Sequence, residues 1–239
     1  MENQKINSEI LKIWEDFPEA SGENSPLLYP GFEQNKTLFI GLNPSLSEKA
    51  FKTIFKGTQY EGKFSFKEFF EKKNINKYLD VYIEGEKLAK EKYSYFNKFK
   101  SIDPDFQHID LFLYRLTSQK EFKDRIGLCK KGNQIISDNF GDFGLKQLEL
   151  ASKIIQLIKP RVIVVANAFA SDIICHYSKL FKIKINEKEF NEKGYDVLIV
   201  GDKEVPIFFS SMLTQQRALD NHTFRRLKRE VKIFLEGNK

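Results

Sequence analysis

The chain has 239 residues, 41% hydrophobic and 30% charged, with 23 Phe against one Trp, so it is expected to be soluble and to bury a core as one large α/β domain or two small ones. Lys and Arg number 39 and Asp and Glu 33, a formal charge of +6, which permits a polyanionic partner without requiring one. Two cysteines, Cys129 and Cys175, with no CxxC spacing argue against a disulfide framework or a structural zinc site, and suit a reducing cytosol; a cytoplasmic protein is expected.

The charged N-terminal stretch lacks the apolar core of a signal peptide, and no apolar run approaches the ~20 residues of a membrane helix. Ile6, Ile10, Ile13 and Trp14 predict an amphipathic helix over 5–17, starting near Asn7-Ser8. Residues 18–36 are rich in Pro and Gly and read as a loop. Thr37–Ile40 then reads as a buried strand that ends abruptly in Gly41-Leu42-Asn43-Pro44-Ser45. Gly41 can take backbone angles closed to other residues and lets a ligand approach closely. Pro44 fixes its own φ and pushes Asn43 away from the helical region. Asn43 is thereby held on stiff backbone just past the C-terminal end of a strand, the edge at which open α/β sheets bind ligands; a plain turn accounts for the same residues equally well.

Residues 46–105 are polar and Phe-rich, and read as helices and loops covering one face of a sheet. His108–Arg115 is nearly continuous in apolar residues and reads as a second strand, leading into Leu116-Thr117-Ser118-Gln119. A helix is predicted over 145–158, stopped by Pro160, then a buried strand over Arg161–Ala166 and a helix over Ser171–Leu180. Two short β-like runs, Phe181–Ile185 and Tyr195–Val200, suggest a hairpin inserted over 181–204. After a turn at Gly201-Asp202, Val205–Ser211 is the fourth core strand, residues 212–220 a loop, and Phe224, Leu227, Val231 and Phe234 mark a last helix capped by Asp220.

This order resembles the uracil-DNA glycosylase superfamily, in particular its uncharacterised glycosylase-like members. Phe39-Ile40-Gly41-Leu42-Asn43-Pro44-Ser45 resembles the first motif of the mismatch-specific and single-strand-selective branches, and Lys159–Val165 resembles the family's helix–KP–strand crossover. Val205–Ser211 and the loop after it occupy the place of the second motif, so the likeness runs in order over residues 36–236.

The resemblance implies a single three-layer α/β/α domain over 1–239 around a central four-stranded parallel sheet. It also implies a monofunctional hydrolase of base-excision DNA repair that flips a base into a pocket at the strand ends. Asn43 would position water against C1′, with no cofactor and no metal, and Ser210 and Ser211 stand where the family places His-Pro-Ser or Asn-Pro-Ser. Gly41, Leu42, Pro44, Ser45, Tyr114, Arg115, Gln119 and Arg217 would line the substrate side. The implied partner is DNA, single-stranded or mismatched, and a monomer off the membrane is expected. A noncatalytic nucleic-acid- or nucleotide-binding relative is the other reading.

Other residues carry weaker indications. Asp110 is a charge in an apolar strand and needs a partner, for which Arg115 or Arg217 is available. His108 and His176 read as structural. Arg225, Arg226, Lys228 and Arg229 are either phosphate contacts or the polar face of an amphipathic helix, the plainer reading.

Overall fold

Strand and helix positions follow the apolar runs. The computed structural model describes all residues except 1, 117–120, 123, 125, 127–129, 132, 133, 136–140, 185–192, 215–217 and 238–239. In chain order the elements are α1 (Glu2–Asp16), α2 (Pro18–Ser21), β1 (Thr37–Gly41), α3 (Glu48–Phe55), α4 (Phe66–Phe70), α5 (Leu79–Lys92), α6 (Asn97–Ile102) and β2 (Phe106–Asp110). Then come β3 (Lys130–Lys131), β4 (Gln134–Ile135), α7 (Asp142–Ile158), β5 (Val162–Ala166), α8 (Ala168–His176), α9 (Ser178–Phe181), β6 (Ile183–Lys184), β7 (Asp196–Val200), β8 (Lys203–Ser210) and α10 (Asn221–Gly237). The protein is therefore of the α/β class. None of the helices among the described residues is long and apolar enough to cross a membrane.

The chain condenses into two compact units, each drawn from three stretches. The first comprises Met1–Phe32, Asn43–Phe96 and Phe112–Leu148; the second comprises Glu33–Leu42, Asn97–Leu111 and Glu149–Lys239. The second unit holds the whole main sheet, in the order β2-β1-β5-β8-β7-β6. β2, β1, β5 and β8 run parallel, whereas β7 and β6 are antiparallel additions beyond β8. The sheet is thus six-stranded and mixed rather than four-stranded and parallel. The cause is the stretch expected as a hairpin insertion. Gly201, at φ 58°, turns β7 back onto β8, and β7 and β6 extend the ladder through Asp196↔Ile207 and Ile183↔Leu198.

Every residue of β1 and β5 is buried, as their unbroken apolar sequences require. β2 ends at Asp110 and not at Arg115. Leu111 to Tyr114 are buried all the same, and beyond Leu111 their backbone changes partner, Leu113 O accepting from Leu27 N and Tyr114 forming a lone bridge with Pro26. Asn167 caps α8, its side-chain oxygen accepting from Phe169 N and Ala170 N. The helix expected over 171–180 is two, α8 and α9, and Lys182 in the left-handed region (φ 57°) ends the second. Asp220 caps α10 as expected, accepting from His222 N and Thr223 N.

In the first unit α1 begins at Glu2, ahead of Asn7-Ser8. Asn7 is not a cap. Its amide is clamped to the Tyr29 backbone, donating to Tyr29 O and accepting from Tyr29 N, both at 2.9 Å. The scattered phenylalanines converge across α3, α4 and the segment between them. Phe51, Phe55, Phe64 and Phe69 pack with ring centroids 5.0–5.9 Å apart, and Phe69 stacks on Tyr82 of α5 at 4.7 Å.

Candidate active site

Parallel strands place their C-terminal ends at one edge, and the register defines a transverse row there. Gly41 pairs with Asp110, Ile40 pairs with Val165, and Ala166 pairs with Ser210. One step past Ile40, the row therefore runs Asp110, Gly41, Ala166, Ser210. Side chains in a row share a face, and three of these four residues are small or lack a side chain. Two of the positions expected on the candidate site, Gly41 and Ser210, thus lie on one sheet edge, with Ser211 the next residue.

Gly41 is a glycine for a reason other than the expected one. Its φ lies outside the left-handed region, so its backbone is ordinary strand. A Cβ placed there would lie 2.2 Å from Asp110 Oδ1 and 3.2 Å from His108 Nε2. Two of the polar side chains of β2, His108 and Asp110, on alternate residues and so on one face, lean over the bare backbone of β1. Asp110 is only 6% exposed. His108 and Asp110 were read as structural in the sequence; the signal that marks them is a His-x-Asp alternation inside an otherwise apolar run.

Asn43 lies two residues past Gly41 and is half-buried. Its amide nitrogen donates to Leu116 O at 2.7 Å and to Tyr114 O at 3.4 Å. Those two carbonyls fix which end of the amide is nitrogen, and leave Oδ1 as the end that can accept. Leu42 is buried, Pro44 half-buried and Ser45 exposed.

Tyr114 belongs to the packing of the first unit. It is 1% exposed, its ring stacks with Trp14 at 6.1 Å and meets Phe143 edge-on at 6.1 Å, and its hydroxyl accepts from Asn24 Nδ2 at 3.2 Å. Arg115 does not pair with Asp110. Its guanidinium donates to Glu86 at 2.5 Å and lies over Phe69 and Phe70, 5.6 and 5.7 Å from their centroids. Near it, burial raises the Tyr82 hydroxyl above the usual tyrosine value, against the pull of the Arg115 charge. Tyr114 and Arg115 therefore do structural work in the first unit.

Ser210 Oγ donates to Ser211 O at 3.1 Å, and Ser171 Oγ reaches Ser210 O at 3.4 Å. The loop beyond closes when Leu219 N donates to Met212 O. Gln119, Gln215, Gln216, Arg217 and Cys129 lie outside the described residues. Cys175, on α8, is pushed up to about 11 by burial, with Asp196 and Asp172 adding to the rise, so it stays a thiol at neutral pH. Among the described residues no group of three His, Cys, Asp or Glu is arranged to hold a metal ion. A scan of the chain against protein-family models gives no match, and no curated protein matches it.

Proposed function

We propose that the protein is a uracil-DNA glycosylase-like hydrolase that cleaves the N-glycosidic bond of a damaged or mismatched base in DNA. The observation that carries the reading is the anchored amide of Asn43. With its nitrogen tied to the Leu116 and Tyr114 carbonyls, the side chain presents Oδ1 in a fixed direction, as a group that orients a water must. The water attacks C1′ as the glycosidic bond breaks; the departing base takes the electron pair as an anion stabilised by N–H and O–H dipoles, and the proton that the water loses passes to that anion through solvent. An amide orients the water without removing its proton, so a slow enzyme is expected. The row of small residues at the sheet edge fits a site where a flat ligand approaches backbone closely.

A second reading is favoured by one contact. Ser210 Oγ spends its proton on the Ser211 carbonyl, whereas the resemblance would have the residue at that sequence position donate to the leaving base. A noncatalytic binding relative keeps the fold and loses that donor. Base release separates the two. Duplex and single-stranded oligonucleotides carrying uracil, hypoxanthine or a mismatched base are incubated with the protein, and abasic sites are cleaved with alkali. Strand scission at one of these bases is expected; its absence on all of them removes the enzyme reading.

A further inference from the structure

We infer that the exposed face of α10 is a docking strip for the phosphate backbone of nucleic acid, a reading that rests on DNA as the proposed substrate. The helix carries Arg225, Arg226, Lys228, Arg229 and Lys232 against Glu230 and Glu236, so one helix holds half of the chain's formal charge of +6. Arg225, Arg226, Arg229 and Lys232 are exposed and Lys228 is half-buried. Among the described residues none of the five has an ion-pair or side-chain hydrogen-bond partner. Some surface lysines elsewhere meet acids, Lys52 with Glu48 at 2.8 Å, Lys87 with Glu84 at 3.3 Å and Lys184 with Glu204 at 2.8 Å, but among the described residues no other helix gathers five cations without one such pair.

Like and opposite charges alternate along the helix, with Arg226 and Glu230, and Lys232 and Glu236, at favourable i,i+4 spacing. Arg225 and Arg229, and Lys228 and Lys232, are like-charged pairs at i,i+4, which destabilise a helix. No base lies in the last turn, where the helix dipole would favour one, and no acid lies in the first. Plain solvation of a polar face requires neither feature. The opposite face is already used: Val231 is buried, and Phe234 packs on Tyr195 and Phe208 at 4.8 and 5.9 Å. From α6, Lys98 places its ammonium 4.8 Å over the Phe224 ring and adds a cation near the start of the strip. Arg225 to Lys232 spans about 10 Å of helix axis, enough to meet roughly three phosphates of one strand.

The test is fluorescence anisotropy with a short labelled DNA duplex across a salt series, on the full chain and on two triple variants. In the first, Arg225, Arg229 and Lys232 become Gln; in the second, Lys49 and Lys52 of α3 and Lys56 just past its end become Gln. Thermal melts verify that both fold. The α10 variant is expected to lower the slope of log affinity against log salt by about 2–3, and the α3 variant to leave it unchanged. An unchanged α10 slope, a loss carried by α3 instead, or no salt-dependent binding by the wild type overturns the inference. Base release, measured on the same proteins, reports on the glycosylase reading separately. Release with an unchanged α10 slope defeats this inference alone; an α10-dependent slope without release defeats the glycosylase reading alone.

Discussion

Gly41 is held to glycine by its neighbour on β2, and the cost of changing it can be stated. A methyl group there meets a carboxylate oxygen at 2.2 Å inside a closed strand row, so something must move. Gly41→Ala is expected to lose about 1–3 kcal/mol in urea unfolding, the usual range for overpacking. Adding Asp110→Ala removes the obstacle and is expected to recover part of the loss, a coupling that two independent sites would not show. If Gly41→Ala unfolds at the wild-type midpoint, the closeness of Asp110 is not the reason for the glycine. The pair of Arg115 and Glu86 behaves differently. Arg115 is buried and Glu86 partly wet, so Glu86→Gln strands a buried charge and is expected to cost about 2–4 kcal/mol. Replacing both by Met is expected to cost less than Glu86→Gln alone, because the buried charge goes with its partner; a costlier double variant would contradict this.

At the scale of elements, caps set where helices start. Asn167 accepts from two backbone amides of α8, and Asn167→Ala is expected to cost about 1 kcal/mol by chemical denaturation. Asp220 does the same for α10, and its Thr223 hydrogen bonds hold the carboxyl below the usual carboxylate value. A depressed folded-state pKa means stability present above the ordinary value and lost as pH falls through the depressed one. The melting-temperature penalty of Asp220→Ala is therefore expected at pH 7 and to shrink below about pH 4. A penalty that is the same at pH 7 and pH 3 would show that the carboxylate charge plays no part. The start of α10 is legible in sequence because a cap is a local pattern, with Asp220 just before its periodic run; Asn167 is not read as a cap, and α8 starts three residues ahead of the helix expected over 171–180. Asn7 shows the limit. It has the chemistry of a cap, and its amide is taken by Tyr29, 22 residues away, a pairing that no local pattern encodes.

At the scale of the molecule, β1 and β5 are legible because strands in the middle of a sheet are apolar on both faces and their runs are buried throughout, and β8 is legible over Val205–Phe209 but not over Lys203 and Glu204, which are exposed. The antiparallel extension was legible as a hairpin but not as part of the main sheet, since partner choice is decided by the free edge of β8. Arg115 was placed at the sheet edge because Leu111–Tyr114 continue the apolarity of β2; burial outside the sheet produces the same sequence. The convergence expected from sequence is that of Asn43 with Ser211; what the strand register shows is Gly41 and Ser210 in one row of the sheet. For Asp110 the expected partner is Arg115 or Arg217; Arg115 pairs with Glu86, and Arg217 lies outside the described residues.

The central claim is that Asn43 orients the attacking water. Single-turnover base release with wild type, Asn43→Ala and Asn43→Asp, on whichever oligonucleotide the wild type cleaves, tests it most directly. Removing the amide is expected to slow release by roughly 10²-fold or more, and the aspartate, which can also take the proton, to match or exceed the wild type. An alanine variant as fast as the wild type would contradict the account.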